Sequence, residues 1–118
     1  MNVRQATVRE YPAARAILEA AMLELSAGAL RHGVALIAVE GDRILGTLLL
    51  DGDEITAIAV RPGRRGQGIG TALVAAAARY RPVLIAGFDR RVRPFYEALG
   101  FEIECDRDRC RGRLRTVG

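Results

Sequence analysis

The chain has 118 residues, half of them apolar, and a formal charge of +4 in which every positive side chain is arginine, with no lysine and no tryptophan. That length suits one globular domain, 1–118, with a modest core, and no apolar run reaches membrane-spanning length. The N-terminus lacks a signal-peptide layout, so a cytoplasmic location is the expectation. The positive balance favours an anionic partner, while the scarcity of aromatics and the absence of a basic helical stripe or zinc-finger spacing argue against nucleic acid.

In chain order, Asn2 to Ala6 is a short edge strand. Thr7-x-x-Glu10 fits a capping box, and Pro12 fits the first helical position; the two registers compete for one helix start. The helix runs to about Ser26 on the stripe Ala14, Ile17, Leu18, Ala21, Met22 and Leu25. Ala27-Gly28 ends it, and Leu30 to Gly33 is a short connection or a last helical turn. Ala35–Val39 and Ile44–Leu50 are two strands joined by the turn Glu40-Gly41-Asp42-Arg43. Asp51-Gly52-Asp53 is a second turn. It leads into an apolar strand, Ile55 to Val60, opened by Glu54.

Arg61-Pro62-Gly63 stops that strand. Gly66, Gly68 and Gly70 follow on alternate positions beside Arg64 and Arg65, and Ile69, Leu73, Val74 and Ala77 then repeat at helical spacing. Strand, glycine loop and helix N-terminus together make an anion site: free N–H groups and the helix dipole point at the ligand, and missing side chains let it approach. The helix, about Gln67 to Tyr80, breaks at Arg81-Pro82. Val83 to Phe88 is a near-continuous apolar run, as in a strand buried on both faces, and the strand–helix–strand unit makes a parallel pair. Asp89 to Leu99 is a second short helix ended by Gly100. Phe101–Cys105 and Cys110–Val117 form a final hairpin. The two cysteines face each other across it, match no metal or redox spacing, and are expected as free thiols.

A P-loop needs a lysine that this chain lacks, and the dinucleotide pattern Gly-x-Gly-x-x-Gly fails from either glycine. The segment that fits is Arg65-Gly66-Gln67-Gly68-Ile69-Gly70 after Ile58-Ala59-Val60-Arg61-Pro62. It resembles the acetyl-CoA pyrophosphate loop of the GNAT acetyltransferase superfamily. Phe95-Tyr96-Glu97-Ala98-Leu99-Gly100-Phe101 is similar to that family's Phe-Tyr-x-x-x-Gly-Phe segment, and the likeness covers most of the chain from about Ala35. The resemblance implies an α/β fold: a mixed, mostly antiparallel sheet of about six or seven strands with one parallel pair and about three helices. Family members carry two helices before the Ala35 strand; here the second is short or missing, which leaves the acceptor pocket open or completed by a partner subunit.

The function implied is transfer of an acetyl group from acetyl-CoA to a primary amine in a ternary complex, without a metal; a non-catalytic CoA-binding module is the alternative. Diphosphate contacts fall on Arg64, Arg65, Gly66, Gln67, Gly68, Ile69, Gly70 and Thr71. The thioester carbonyl falls on backbone N–H groups of Ile58, Ala59 and Val60, provided this strand splays from its parallel neighbour. Tyr96 aligns with the tyrosine that protonates the departing thiolate, against an ordinary core tyrosine. Glu54 is the candidate general base, against a solvated carboxylate; strict alternation puts it on one face with Thr56, Ile58 and Val60. Asp89 stands where relatives bond the pantetheine arm, or it caps the following helix. His32, the one histidine, reads as a surface or gap-filling residue. A homodimer is a further expectation.

Overall fold

The computed structural model describes residues 1–21 and 33–116. Its elements are β1 (Asn2–Gln5), α1 (Tyr11–Ala20), β2 (Val34–Glu40), β3 (Arg43–Asp51), β4 (Glu54–Val60), α2 (Ile69–Tyr80), β5 (Val83–Asp89), α3 (Arg93–Ala98), β6 (Glu102–Asp106) and β7 (Arg109–Arg115). One seven-stranded sheet runs β1-β2-β3-β4-β5-β7-β6. Every neighbouring pair is antiparallel except β4 and β5. The expected mixed sheet with one parallel pair is therefore present. The last hairpin enters out of order, with its second strand against β5.

Both registers at the first helix are used in succession. The Glu10 carboxylate accepts from the Thr7 backbone N–H at 2.9 Å and closes a 3₁₀ turn over Val8–Glu10. Pro12 then lies in the first turn of α1, where its missing N–H costs no helical bond. Arg4 clamps Glu10 with both terminal guanidinium nitrogens, at 2.8 and 2.7 Å, and ties β1 to this turn. The continuation of the helix to Ser26, with Met22 and Leu25, and the connection containing His32 lie outside the described residues.

Two apolar clusters sandwich the sheet. On one face Ile69, Leu73, Val74 and Ala77 of α2 pack on Leu36, Leu45, Leu48, Leu50, Leu84 and Ala86. On the other, Ala14, Ile17 and Leu18 of α1 cover Ala35, Ile37, Leu49, Ala57 and Ala59. Among the described residues α1 covers only the β2–β4 half, and β5 is not buried on both faces as its composition predicts. Leu84, Ala86 and Phe88 are buried, whereas Val83 and Ile85 are half-buried and Gly87 is exposed.

Two details of β4 position the site. Its register with β3 slips between Leu49 and Leu50, which pair with Ala57 and Ile55. Thr56 is thus the extra residue of a bulge. Ile55, not Thr56, joins Ile58 and Val60 in the α2-side cluster. The expected common face of Glu54, Thr56, Ile58 and Val60 is corrected accordingly: the bulge resets the alternation, and Glu54 falls out of phase with Ile58 and Val60.

The second detail is a splay. β4 and β5 pair only at Glu54↔Ile85 and Ile55↔Ala86. Beyond these, β4 stays bonded to β3 as far as Gly46↔Val60, and β5 stays bonded to β7 as far as Asp89↔Arg109. The two strands open like a V towards their C-terminal ends.

The cysteines differ from expectation. Cys105 and Cys110 are directly opposed in the β6–β7 ladder with Cα atoms 4.0 Å apart, and they form a disulfide. A tight hairpin loop between them brings the sulfurs together, which a spacing rule for free thiols does not register.

Candidate active site

The open end of the V meets the N-terminus of α2. Gly66 and Gly68 have φ of +76° and +82°, and Gly68 is the N-cap. Both need the left-handed region that an L side chain adopts at a cost. The first bond into the helix, Ala72 N–H to the Gly68 carbonyl, measures 3.0 Å. The N–H groups of Ile69, Gly70 and Thr71 therefore have no partner within the helix, and no side chain caps them. A cavity of about 220 Å³ lies in front of them, lined by Val60, Arg64, Arg65, Gly66, Gly68, Ile69, Gly70, Thr71 and Phe95. Aligned peptide dipoles make this an electropositive recess.

The loop arginines are already engaged. Arg64 donates to Gln67 Oε1 at 2.8 Å and pairs with Glu40 at 3.1 and 3.2 Å. The Arg64 guanidinium holds the Glu40 carboxyl below its usual range. Arg65 Nε donates to the Val60 carbonyl at 3.2 Å, which folds the loop back onto the strand end. Arg61 does the same from the other side, through Nε to the Ile44 carbonyl at 2.6 Å.

Past Ile55 the main-chain groups of β4 that face β5 have no strand partner. Ile58, Ala59 and Val60 sit on this free edge, so the splay expected for them is present. Buried N–H groups almost always find partners, and an open β edge inside a cleft offers N–H donors to an incoming carbonyl.

Tyr96 is 4% exposed. It stacks on Phe88 at 4.2 Å and meets Phe95 and Phe101 edge-on at 5.0 and 5.2 Å. Burial pushes its phenol up to about 12, so it stays protonated at neutral pH. Its hydroxyl has no hydrogen-bond partner among the described residues. Phe88 lies beyond the last β4–β5 pair, which puts Tyr96 at the open end of the V, and Phe95 beside it lines the cavity.

Glu54 is not brought to Tyr96. It is exposed and sits at the closed end of the V, paired with Ile85. Four residues of strand separate it from Ile58, about 13 Å. Asp89 takes the capping alternative: its Oδ1 accepts from the Arg91 backbone N–H at 2.9 Å and from Arg91 Nε at 3.2 Å. These bonds, the backbone one first, hold its carboxyl below the usual range.

Sequence reasoning missed two participants. Phe95 carries no assigned role in the Phe-Tyr-x-x-x-Gly-Phe segment, yet its ring walls the cavity and would lie 3.3 Å from a Cβ at Gly70. Glu40 was read as a turn residue, yet it holds Arg64. Adjacency to Tyr96 was the available signal for the first; nothing local marks the second.

The family model described as an acetyltransferase (GNAT) domain matches residues 31–103, more than half of the chain. Among curated proteins no sequence matches. Solved structures share the fold. An aminoglycoside 6'-N-acetyltransferase complexed with coenzyme A aligns with TM-score 0.85 at 15% identity, covering 100% of this chain and 98% of that one. A Bacillus subtilis acetyltransferase in complex with CoA aligns at 0.79 and 20% identity, covering 97% of each chain. The Escherichia coli ribosomal-protein-S18-alanine N-acetyltransferase aligns at 0.80 and 17%, covering 99% and 94%. A matching family model, a splayed parallel pair and a glycine loop capping α2 converge: the chain belongs to the GNAT family of acetyltransferases.

Proposed function

We propose that this acetyltransferase moves the acetyl group of acetyl-CoA to a primary amine by direct attack in a ternary complex. The observation that carries the reading is the meeting of the unpartnered N–H groups of Ile69, Gly70 and Thr71 with the free edge of β4 in one cleft. The diphosphate docks on residues 65–71. Solvent screens an exposed ion pair such as Arg64–Glu40, so Arg64 exchanges its carboxylate for phosphate at little cost. The pantetheine arm enters the V past Asp89, whose side chain remains a cap. The thioester carbonyl accepts from an N–H among Ile58, Ala59 and Val60, which also stabilises the oxyanion.

The amine nitrogen bonds to the carbonyl carbon, the carbon–sulfur bond breaks, and an amide and CoA thiol result. Tyr96, protonated at neutral pH, donates to the departing thiolate and regains a proton from solvent, so the enzyme returns to its starting state. Glu54 takes the amine proton through ordered water, because it is too distant for direct contact. The reading includes a cytoplasmic enzyme and, from the bare outer edge of β6, a homodimer that sedimentation would detect. The test is Tyr96→Phe assayed for CoA release with an amine panel. A fall in kcat with unchanged acetyl-CoA affinity supports the assignment; an unchanged kcat removes Tyr96 from it.

A further inference from the structure

The cofactor cavity lies on the α2 face, since Val60, Ile69 and Phe95 all belong to that side. An acceptor must therefore reach the V from the opposite face. On that face α1 covers β2–β4, and among the described residues the floor formed by β5, β7 and β6 is bare. Its side chains sort into rows. β5 presents Val83, Ile85 and Gly87. β7 presents Arg109, Arg111, Arg113 and Arg115, all exposed, opposite the buried Cys110 and Gly112. β6 presents Glu102, Glu104 and Asp106 at the outer edge.

The arginine row begins at the mouth of the V. Arg109 pairs with Asp89 in register, and its Nη2 lies 3.7 Å from where a Cβ on Gly87 would be. The guanidinium thus leans inward, over the glycine and towards the gap. No carboxylate among the described residues lies within 4.0 Å of Arg109, Arg111 or Arg113, although acidic residues stand directly across the ladder. The row repeats every ~6.8 Å over ~20 Å. Alternate side chains of an extended peptide have the same repeat. A row of that length exceeds the needs of a small molecule, and among the described residues β5, β7 and β6 present no aromatic side chain on this floor on which a base could stack.

We propose that the acceptor is the free amine of an acidic peptide, lying extended along β7 with carboxylates at alternate positions on these arginines. This rests on the acetyl-transfer reading above and names its substrate class. Opposite charge in register sets orientation and raises the association rate.

The test uses the full chain and three peptides with free N-termini and a C-terminal fluorophore: Ala-Glu, Ala-Gln and Ala-Lys, each repeated three times. Anisotropy measures binding at low and high salt without acetyl-CoA, and CoA release measures turnover. The Glu peptide is expected to bind, and to exceed the Lys peptide in kcat/KM, by at least about tenfold, with the difference shrinking in salt. Arg111→Gln/Arg113→Gln should weaken its binding by about tenfold, and Glu102→Gln/Glu104→Gln should tighten it severalfold. A merely structural ladder would not give opposite signs in the two variants. Equal behaviour of the three peptides, insensitivity to both variants, or displacement by a single-stranded oligonucleotide at lower concentration would overturn the proposal. Acetyl-CoA binding without peptide preference sinks this inference alone; peptide preference without acetyl-CoA binding sinks the acetyl-transfer reading instead.

Discussion

Gly68→Ala separates the backbone cost of the glycine loop from its role as a ligand site. Gly68 holds φ +82°, and a Cβ built there meets nothing within 4 Å. The cost to folding is therefore conformational alone, about 1–2 kcal/mol for an L residue in the left-handed region. For a domain of this size that is a Tm loss of roughly 4–8 °C. Gly41, in the β2–β3 turn, has φ +59° and equally open space, so Gly41→Ala should lose a similar amount. The two variants part company on ligand. On the proposed docking of the diphosphate, the new methyl at position 68 forces it off at least one N–H. A hydrogen bond to a charged group is worth about 1.5–3 kcal/mol, so acetyl-CoA affinity should fall by roughly 10- to 150-fold in Gly68→Ala. Gly41→Ala should bind normally. Calorimetric melting gives the first quantity and isothermal titration the second. Unchanged affinity in Gly68→Ala, or the same loss in Gly41→Ala, would refute the placement of the diphosphate.

Other outcomes follow from the same geometry. Tyr96→Phe should keep its packing on Phe88 while lowering kcat. It should also remove an alkaline dependence of stability. With the folded phenol near 12 against an ordinary 10.0, wild-type stability is full below pH 10 and is lost as pH rises to about 12; equal alkaline melts of the two proteins would contradict the burial argument. Glu54→Gln should lower kcat and leave acetyl-CoA affinity intact; a wild-type rate would assign deprotonation to solvent alone. Glu10, hydrogen-bonded first by Arg4 and then by the Thr7 N–H, sits at about 2 instead of 4.5. Its contribution is present above pH 4.5 and lost as pH falls towards 2. Glu10→Gln should flatten urea-melt stability across that window, and an unchanged slope would mean the Arg4 clamp adds nothing.

The parts of the fold legible in the sequence were those written in local chemistry. Gly66 and Gly68 announce left-handed backbone, Arg61-Pro62 announces a strand end, and Ile69, Leu73, Val74 and Ala77 announce the buried face of α2. These alone located the cavity that the structure shows. What stayed hidden depends on non-local pairing. The bulge at Thr56 arises from the β3 register, so no reading of β4 by itself could place Glu54 correctly. Arg64 is expected among the diphosphate contacts because it abuts the loop, yet Glu40, 24 residues earlier, already pairs with it. The Val83–Phe88 run looked doubly buried because composition does not reveal how far α1 extends over the sheet. The insertion of β7 between β5 and β6 is equally invisible locally, and it is what aligns the β7 arginines beside the gap.

The splay and the helix N-terminus matter only jointly. A helix N-terminus without the open β4 edge would be a generic anion site. An open edge without the loop would be an exposed strand liable to pair with another chain. Here the pairing of β4 and β5 ends at Ile55↔Ala86, and the cavity in front of α2 begins at Val60. The distance between them, about five residues of strand or ~17 Å, is the length of cleft that the proposed reaction assigns to an extended pantetheine arm.

The measurement that bears most directly on this cleft is amide-resolved NMR during titration with acetyl-CoA. The account predicts saturable shifts of the N–H signals of Gly66 to Thr71 together with those of Ile58 to Val60, while β1 and β6 stay still. Shifts confined to exposed arginine segments such as Arg107 to Arg115, or none at all, would contradict it.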